Sequence, residues 1–130
     1  MKIKLSDLLN AQKALNTLGE AKGLKASTAF TIARNIRAIN PELEAYNTQY
    51  KAILDQYALK DDKGEVLIED ERITLTNAQK YTEEVNDLLE VEVDIAISPV
   101  NIDDLEGADL TPIELMNIDF MIKTEEEDVN

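Results

Sequence analysis

The sequence has no cysteine and no histidine. Those absences exclude thiol catalysis, disulfide frameworks, zinc fingers, histidine acid–base chemistry and haem ligation. Tryptophan is also absent and there are only two phenylalanines, so nothing suggests an aromatic sugar cleft. The four glycines, at positions 19, 23, 64 and 107, are too dispersed for a phosphate-cradling loop. No apolar run approaches the roughly 20 residues of a membrane span. The opening residues, Met1-Lys2-Ile3-Lys4-Leu5-Ser6-Asp7, lack the apolar stretch and cleavage site of a secretory leader. The expectation is a soluble intracellular protein without cofactor, metal or membrane partner.

What is present is charge and aliphatic mass. The 130 residues suit a single domain, expected over 1–123, with an acidic disordered tail at 124–130. Leu, Ile, Val and Phe supply 37 residues, enough for a core despite a net charge of −14. The charge is unevenly spread: residues 1–60 carry +4 and residues 61–130 carry −18. Such a field repels nucleic acid and anionic membranes at long range.

Hydrophobic spacing predicts the elements. Lys2–Leu5 alternates as a short strand. Ser6 offers an N-cap to a helix at 7–19, with Leu8, Ala11, Leu15 and Leu18 on one face. Ala29, Ile32, Ile36, Ile39, Leu43, Tyr46, Tyr50, Ile53 and Tyr57 then form an unbroken seam of alternating three- and four-residue steps. Asn40-Pro41 interrupts that seam without changing its phase. The segment 26–58 therefore reads as one long bent helix or two nearly collinear ones. A charged turn, Lys60 to Gly64, precedes two short strands around Val66–Ile68 and Ile73–Leu75. Thr76 and Gln79 suggest a capping box for a helix at 77–89. Val91, Val93, Ile95 and Ile97 mark the main strand, with Glu92 and Asp94 facing water. Thr111, Pro112 and Glu114 begin a last helix whose apolar residues leave little polar face, which predicts burial or an oligomer interface.

Several groups invite a functional reading. The loop containing Asn101, Asp103, Asp104, Glu106 and Asp109 fails the EF-hand pattern in the frames that begin at Asn101 and at Asp103. It reads as a solvated acidic loop or, with Glu92 and Asp94, as a partner-binding surface. Paired carboxylates suited to glycoside hydrolysis have no support beyond the abundance of acids, and no enzymatic activity is expected. Arg34 and Arg37 share a helix face and are candidate anion contacts. Tyr46, Tyr50 and Tyr57 form a stripe that is either an interface or a core seam. The first helix is too short to cover the whole seam, which leaves a stretch for a partner or a second copy.

The basic first strand, the Ala26–Ile39 segment, the Lys60–Gly64 turn, the run Leu88-Leu89-Glu90-Val91-Glu92-Val93 and the closing Leu110–Met116 and Phe120–Ile122 segments together resemble a family. It is a domain-of-unknown-function family of small proteins from tailed phages and prophages of Gram-positive bacteria. Pro41 lies outside that pattern. The resemblance implies a phage protein in the host bacterial cytoplasm or the virion, and supplies no catalytic residues.

The fold expected is α+β: a long helical hairpin and two further helices on a small, mainly antiparallel sheet. The function expected is a non-enzymatic phage accessory protein that binds a phage structural or host defence protein and self-associates, without direct nucleic-acid binding. The alternative is a DNA-mimic-like inhibitor of a bacterial defence system, which blocks a basic nucleic-acid site with the acidic C-terminal half.

Overall fold

The computed structural model describes residues 1–123. The expected acidic tail lies outside the described residues. The fold is α+β. Strand β1 (Lys2–Lys4) leads directly into helices α1 (Leu5–Asn10) and α2 (Gln12–Glu20), then into the long helix α3 (Ala26–Tyr57). A hairpin of β2 (Ile68–Glu69) and β3 (Arg72–Ile73) precedes α4 (Ala78–Leu89) and β4 (Glu92–Asp94). β5 (Val100–Asn101), a 3₁₀ segment over Ile102–Ala108, α5 (Pro112–Asn117) and β6 (Ile122–Lys123) follow.

The predicted helix at 7–19 is two helices that meet at Ala11. The Ala11 N–H is shared between the Asp7 and Leu8 carbonyls, both at 3.2 Å, and this bifurcation marks the break. The first helix begins earlier than expected: Ser6 lies inside α1 and Lys4 takes the N-cap without a side-chain bond. The apolar face survives the break. Leu8, Ala11, Leu15 and Leu18 are all buried, against Ile32, Ile39 and Leu43 of α3 and against Ile118 and Met121 from the C-terminal end.

α3 is one continuous helix of 32 residues, about 48 Å long at 1.5 Å per residue. Pro41 sits inside it on an exposed face. There its ring displaces a helical N–H whose partner would have been the Arg37 carbonyl. The unbroken apolar phase across Pro41 reflects the continuous helix, because α1 and α2 cover the first half of the seam and α4 the second.

Four details correct the sequence reading. The strand pairings form three separate two-stranded ribbons rather than one sheet: β1–β4 and β2–β3 antiparallel, β5–β6 parallel. The expected main strand pairs over only Glu92–Asp94, opposite Lys4, Ile3 and Lys2. Val91 is exposed, because its N–H still closes the end of α4 on the Leu88 carbonyl at 3.1 Å. Finally, Thr76 does not cap α4: its hydroxyl donates to the Tyr57 carbonyl at 3.0 Å, and Asn77 Oδ1 caps instead by accepting the Lys80 N–H.

The capping box on α5 is present as read, with Thr111 and Glu114 bonded reciprocally. The all-round burial expected for this helix is not. α5 has only six residues, and its Ile113 and Met116 are 69 % and 74 % exposed. Burial falls instead on Ile118 and Met121 just beyond it.

The acidic segment and the α2–α3 connection touch through their backbones. A Cβ placed on Gly107 would overlap the Gly23 carbonyl and lie 2.8 Å from its carbon. Two of the four glycines are therefore required by one close approach.

Candidate functional site

The sequence-named residues fall in different places. Tyr46 and Tyr50 stack at 5.9 Å between centroids, and Tyr50 meets Tyr81 of α4 edge-on at 6.4 Å. The Tyr50 and Tyr81 hydroxyls share a hydrogen bond of 2.8 Å. Tyr57 is buried. Burial and the Tyr50 bond push Tyr81 up to about 12. Burial likewise raises Tyr46 and Tyr57, the latter also through neighbouring Glu84. The stripe is thus occupied within the chain by α4, which covers the stretch of seam that the first helix cannot reach. Tyr81 was not singled out from sequence, although its place in the α4 seam paired it with this stripe.

The carboxylates divide into two groups. Asp103, Glu106 and Asp109 line one shallow groove of about 340 Å³ together with Leu105 and Leu115. Asp104 turns the other way and pairs with Lys25 at 3.4 Å. Glu92 and Asp94 lie on the water face of β4, as their alternation indicated, and Asp94 accepts from the Met1 amino group at 2.9 Å. Among the described residues, no group of three or more carboxylates is placed to hold a metal ion.

Arg34 and Arg37 flank a shallow cleft of about 390 Å³ with Ala96 and Ser98. Both are exposed. Arg34 lies 5.9 Å over the ring of Phe30, and neither arginine forms an ion pair among the described residues.

A groove of about 670 Å³ lies elsewhere. On one side it is lined by Met1, Lys2, Ile3 and Lys4, and on the other by Met116, Asn117, Asp119 and Phe120. Asp7, Glu90 and Glu92 line it as well. Lys4 Nζ is held by Glu90 at 2.8 Å, and that bond raises the lysine above its ordinary value. The opposite wall is fixed in place. Thr17 Oγ1 on α2 donates to Glu114 Oε2 at 3.0 Å, and the same carboxylate accepts the Thr111 N–H at 3.3 Å. Those two bonds hold the Glu114 carboxyl below the usual range, the Thr111 backbone bond contributing most. α5 is thereby tied to α2 while its Ile113 and Met116 face water.

Of the sequence candidates, only Glu92 borders this groove. The closing segment that carries Met116 and Phe120 reads as buried or as an oligomer interface because it has almost no polar face; Phe120 packs partly against the core, whereas Met116 is 74 % exposed. The segment's six-residue helix signal, Pro112 to Asn117, was too short for periodicity to tell an inner from an outer face. Chemically, the groove offers amides, carboxylates, the Lys2 and Lys4 ammonium groups, the Ser6 hydroxyl and apolar side chains, which together can hold a polypeptide.

Comparison with protein-family models, with curated proteins and with solved structures gives no match. No helix among the described residues is long and apolar enough to cross a membrane.

Proposed function

We propose that this chain is a phage-encoded accessory protein that acts by binding another protein, without catalysis. The observation that carries the reading is the exposure of Ile113 and Met116, 69 % and 74 %, on a helix that is capped and bonded to its neighbour. Large apolar side chains held rigidly in water favour association, since each buried Å² of apolar surface is worth about 25 cal/mol. The phage setting rests on the resemblance of the sequence, and the partner is then a phage structural protein or a host defence protein.

The charge-decoy alternative has weaker support. Its carboxylates line separate grooves, and Lys25 and the Met1 amino group neutralise Asp104 and Asp94.

The test is affinity capture from phage-infected host lysate at low and high salt, read by mass spectrometry. A specific phage or host protein retained at high salt supports an apolar contact. A nucleic-acid-binding host protein lost at high salt moves the assignment to the decoy. Capture of no specific partner at either salt removes the protein-binding reading.

A further inference from the structure

The groove between β1 and α5 meets a strand edge. β1 has a single strand neighbour, β4, among the described residues. The Ile95 N–H bonds the Met1 carbonyl and the Leu5 N–H bonds the Val91 carbonyl, both at 2.9 Å. Hydrogen bonding alternates along an antiparallel ladder, so Met1 and Ile3 direct their amides and carbonyls, and Leu5 its amide, toward the β4 side. The Lys2 N–H and C=O and the Lys4 N–H therefore point to the other edge.

Met1, Lys2, Ile3 and Lys4 all line the groove. Glu92, opposite Lys4 on β4, lines it too, so the groove runs over the water face of the β1–β4 ribbon and reaches the backbone of Ile3, whose own side chain is in the core.

We infer that this groove is a strand-addition site for an extended, basic segment of a partner protein, which pairs with the Lys2–Lys4 edge and seats an apolar side chain against Met116 and Phe120. This deepens the protein-binding reading and rests on it. Backbone pairing supplies the attachment and alternate side chains supply the selectivity. The flexible methionine accepts apolar side chains of several shapes. Selection for positive charge follows from the lining. Glu90 is taken up by Lys4, while Asp7, Glu92 and Asp119 remain against Lys2 alone. A second copy of this chain would bring a net charge of −14 to an acidic groove, which disfavours self-pairing here.

Two peptides of one composition test the inference by fluorescence anisotropy at physiological ionic strength. One alternates lysine and leucine, and the other carries the same residues in two blocks. The alternating peptide is expected to bind at least about tenfold more tightly and to shift the Lys2 and Lys4 amide resonances. Met116→Asp and Lys2→Pro are each expected to weaken it about fivefold or more. Met116 is 74 % exposed, and Lys2 gives β4 no hydrogen bond, so both variants keep the fold, as thermal melts check. Each variant makes the chain more acidic, so attraction by charge alone would tighten binding to a cationic peptide. Equal binding of the two peptides, no binding of either, or undiminished binding by the variants overturns the inference. In the lysate experiment, partners that both variants retain overturn the groove assignment and leave the protein-binding reading standing.

Discussion

Asn35 holds the backbone of Ser98 at both of its polar atoms. Its Nδ2 donates to the Ser98 carbonyl and its Oδ1 accepts the Ser98 N–H, each at 2.9 Å. The side chain is 1 % exposed and sits between Ile32 and Ile39 on the buried face of α3. Beyond Ile95, the segment 96–99 has no strand partner among the described residues, so a side-chain amide from the helix does what a ladder would have done.

This geometry predicts an unusual order of variants. Asn35→Ala should cost about 2–4 kcal/mol through two lost bonds and a cavity. Asn35→Asp keeps the volume but turns a carboxylate oxygen toward the Ser98 carbonyl. At neutral pH it should be at least as damaging as alanine, and it should recover in acid, where the protonated carboxyl donates. Urea denaturation at both pH values gives the comparison. An Asp variant within about 0.5 kcal/mol of the parent at neutral pH would show that the paired amide does not matter.

The glycines supply a contrast in sign. On Gly107 a methyl group would run into the Gly23 backbone, which has no flexible end to yield, so Gly107→Ala should lose about 1–3 kcal/mol or more. On Gly19, inside α2, the added carbon would rest 3.7 Å from Ile36 Cδ1, an ordinary contact. Gly19→Ala should therefore gain about 1 kcal/mol from helix propensity. Melting temperatures that move in the same direction for both variants would contradict the crossing of the two segments.

The same residues explain what was legible in the sequence. Seam positions such as Leu8, Leu15, Ile32 and Ile39 announced themselves by period, because burial along a helix repeats with its turn. The extent of α3 was readable despite Pro41, since the apolar phase continues through it, but whether it was one helix or two collinear ones was not. The Thr111–Glu114 capping box was local and was found. Asn35, Thr17 and the Gly23–Gly107 contact were not, because each acts across a large sequence separation on a partner that periodicity does not name. The groove was missed for a related reason: whether Met116 faces core or water depends on where Glu114 is tied, and that is settled by Thr17 on another helix.

The β2–β3 hairpin carries strain that can be relieved. Asp70 and Glu71 form its two-residue turn with φ of 51° and 63°, the left-handed region, where a glutamate is poorly suited. Replacing the pair with Asn-Gly should stabilise the hairpin by roughly 1 kcal/mol. Amide exchange at Glu69 and Arg72, the hydrogen-bonded pair that closes the turn, reports this locally, and slower exchange is expected. Unchanged or faster exchange would mean the turn has another shape.

The tyrosine cluster sets the alkaline limit. Tyr81 is pushed up to about 12 in the folded state, against about 10 for an unfolded tyrosine. A raised folded value contributes stability that is fully present below about pH 10 and is lost as pH climbs through 12. Tyr81→Phe should flatten the alkaline fall in stability over that window and remove the last phenol to ionise in an absorbance titration. If the parent's last phenol titrates near 10, the Tyr50–Tyr81 contact does not hold in solution.

Glu114 sets a limit on the acid side, and it bears on the groove. Its carboxyl lies below the ordinary range because it accepts from Thr111 and Thr17. A depressed folded value contributes stability present above the unfolded value of about 4.3 and lost as pH falls through the folded one. Glu114→Gln should therefore melt below the parent at neutral pH, with a gap that closes below about pH 4. Thr17→Val should narrow the same gap from the other partner. A gap that stays constant with pH would assign the loss to packing instead of charge. Because this carboxylate ties α5 to α2, its protonation should also free the Met116 wall, so peptide binding and the acid transition are expected to decline together.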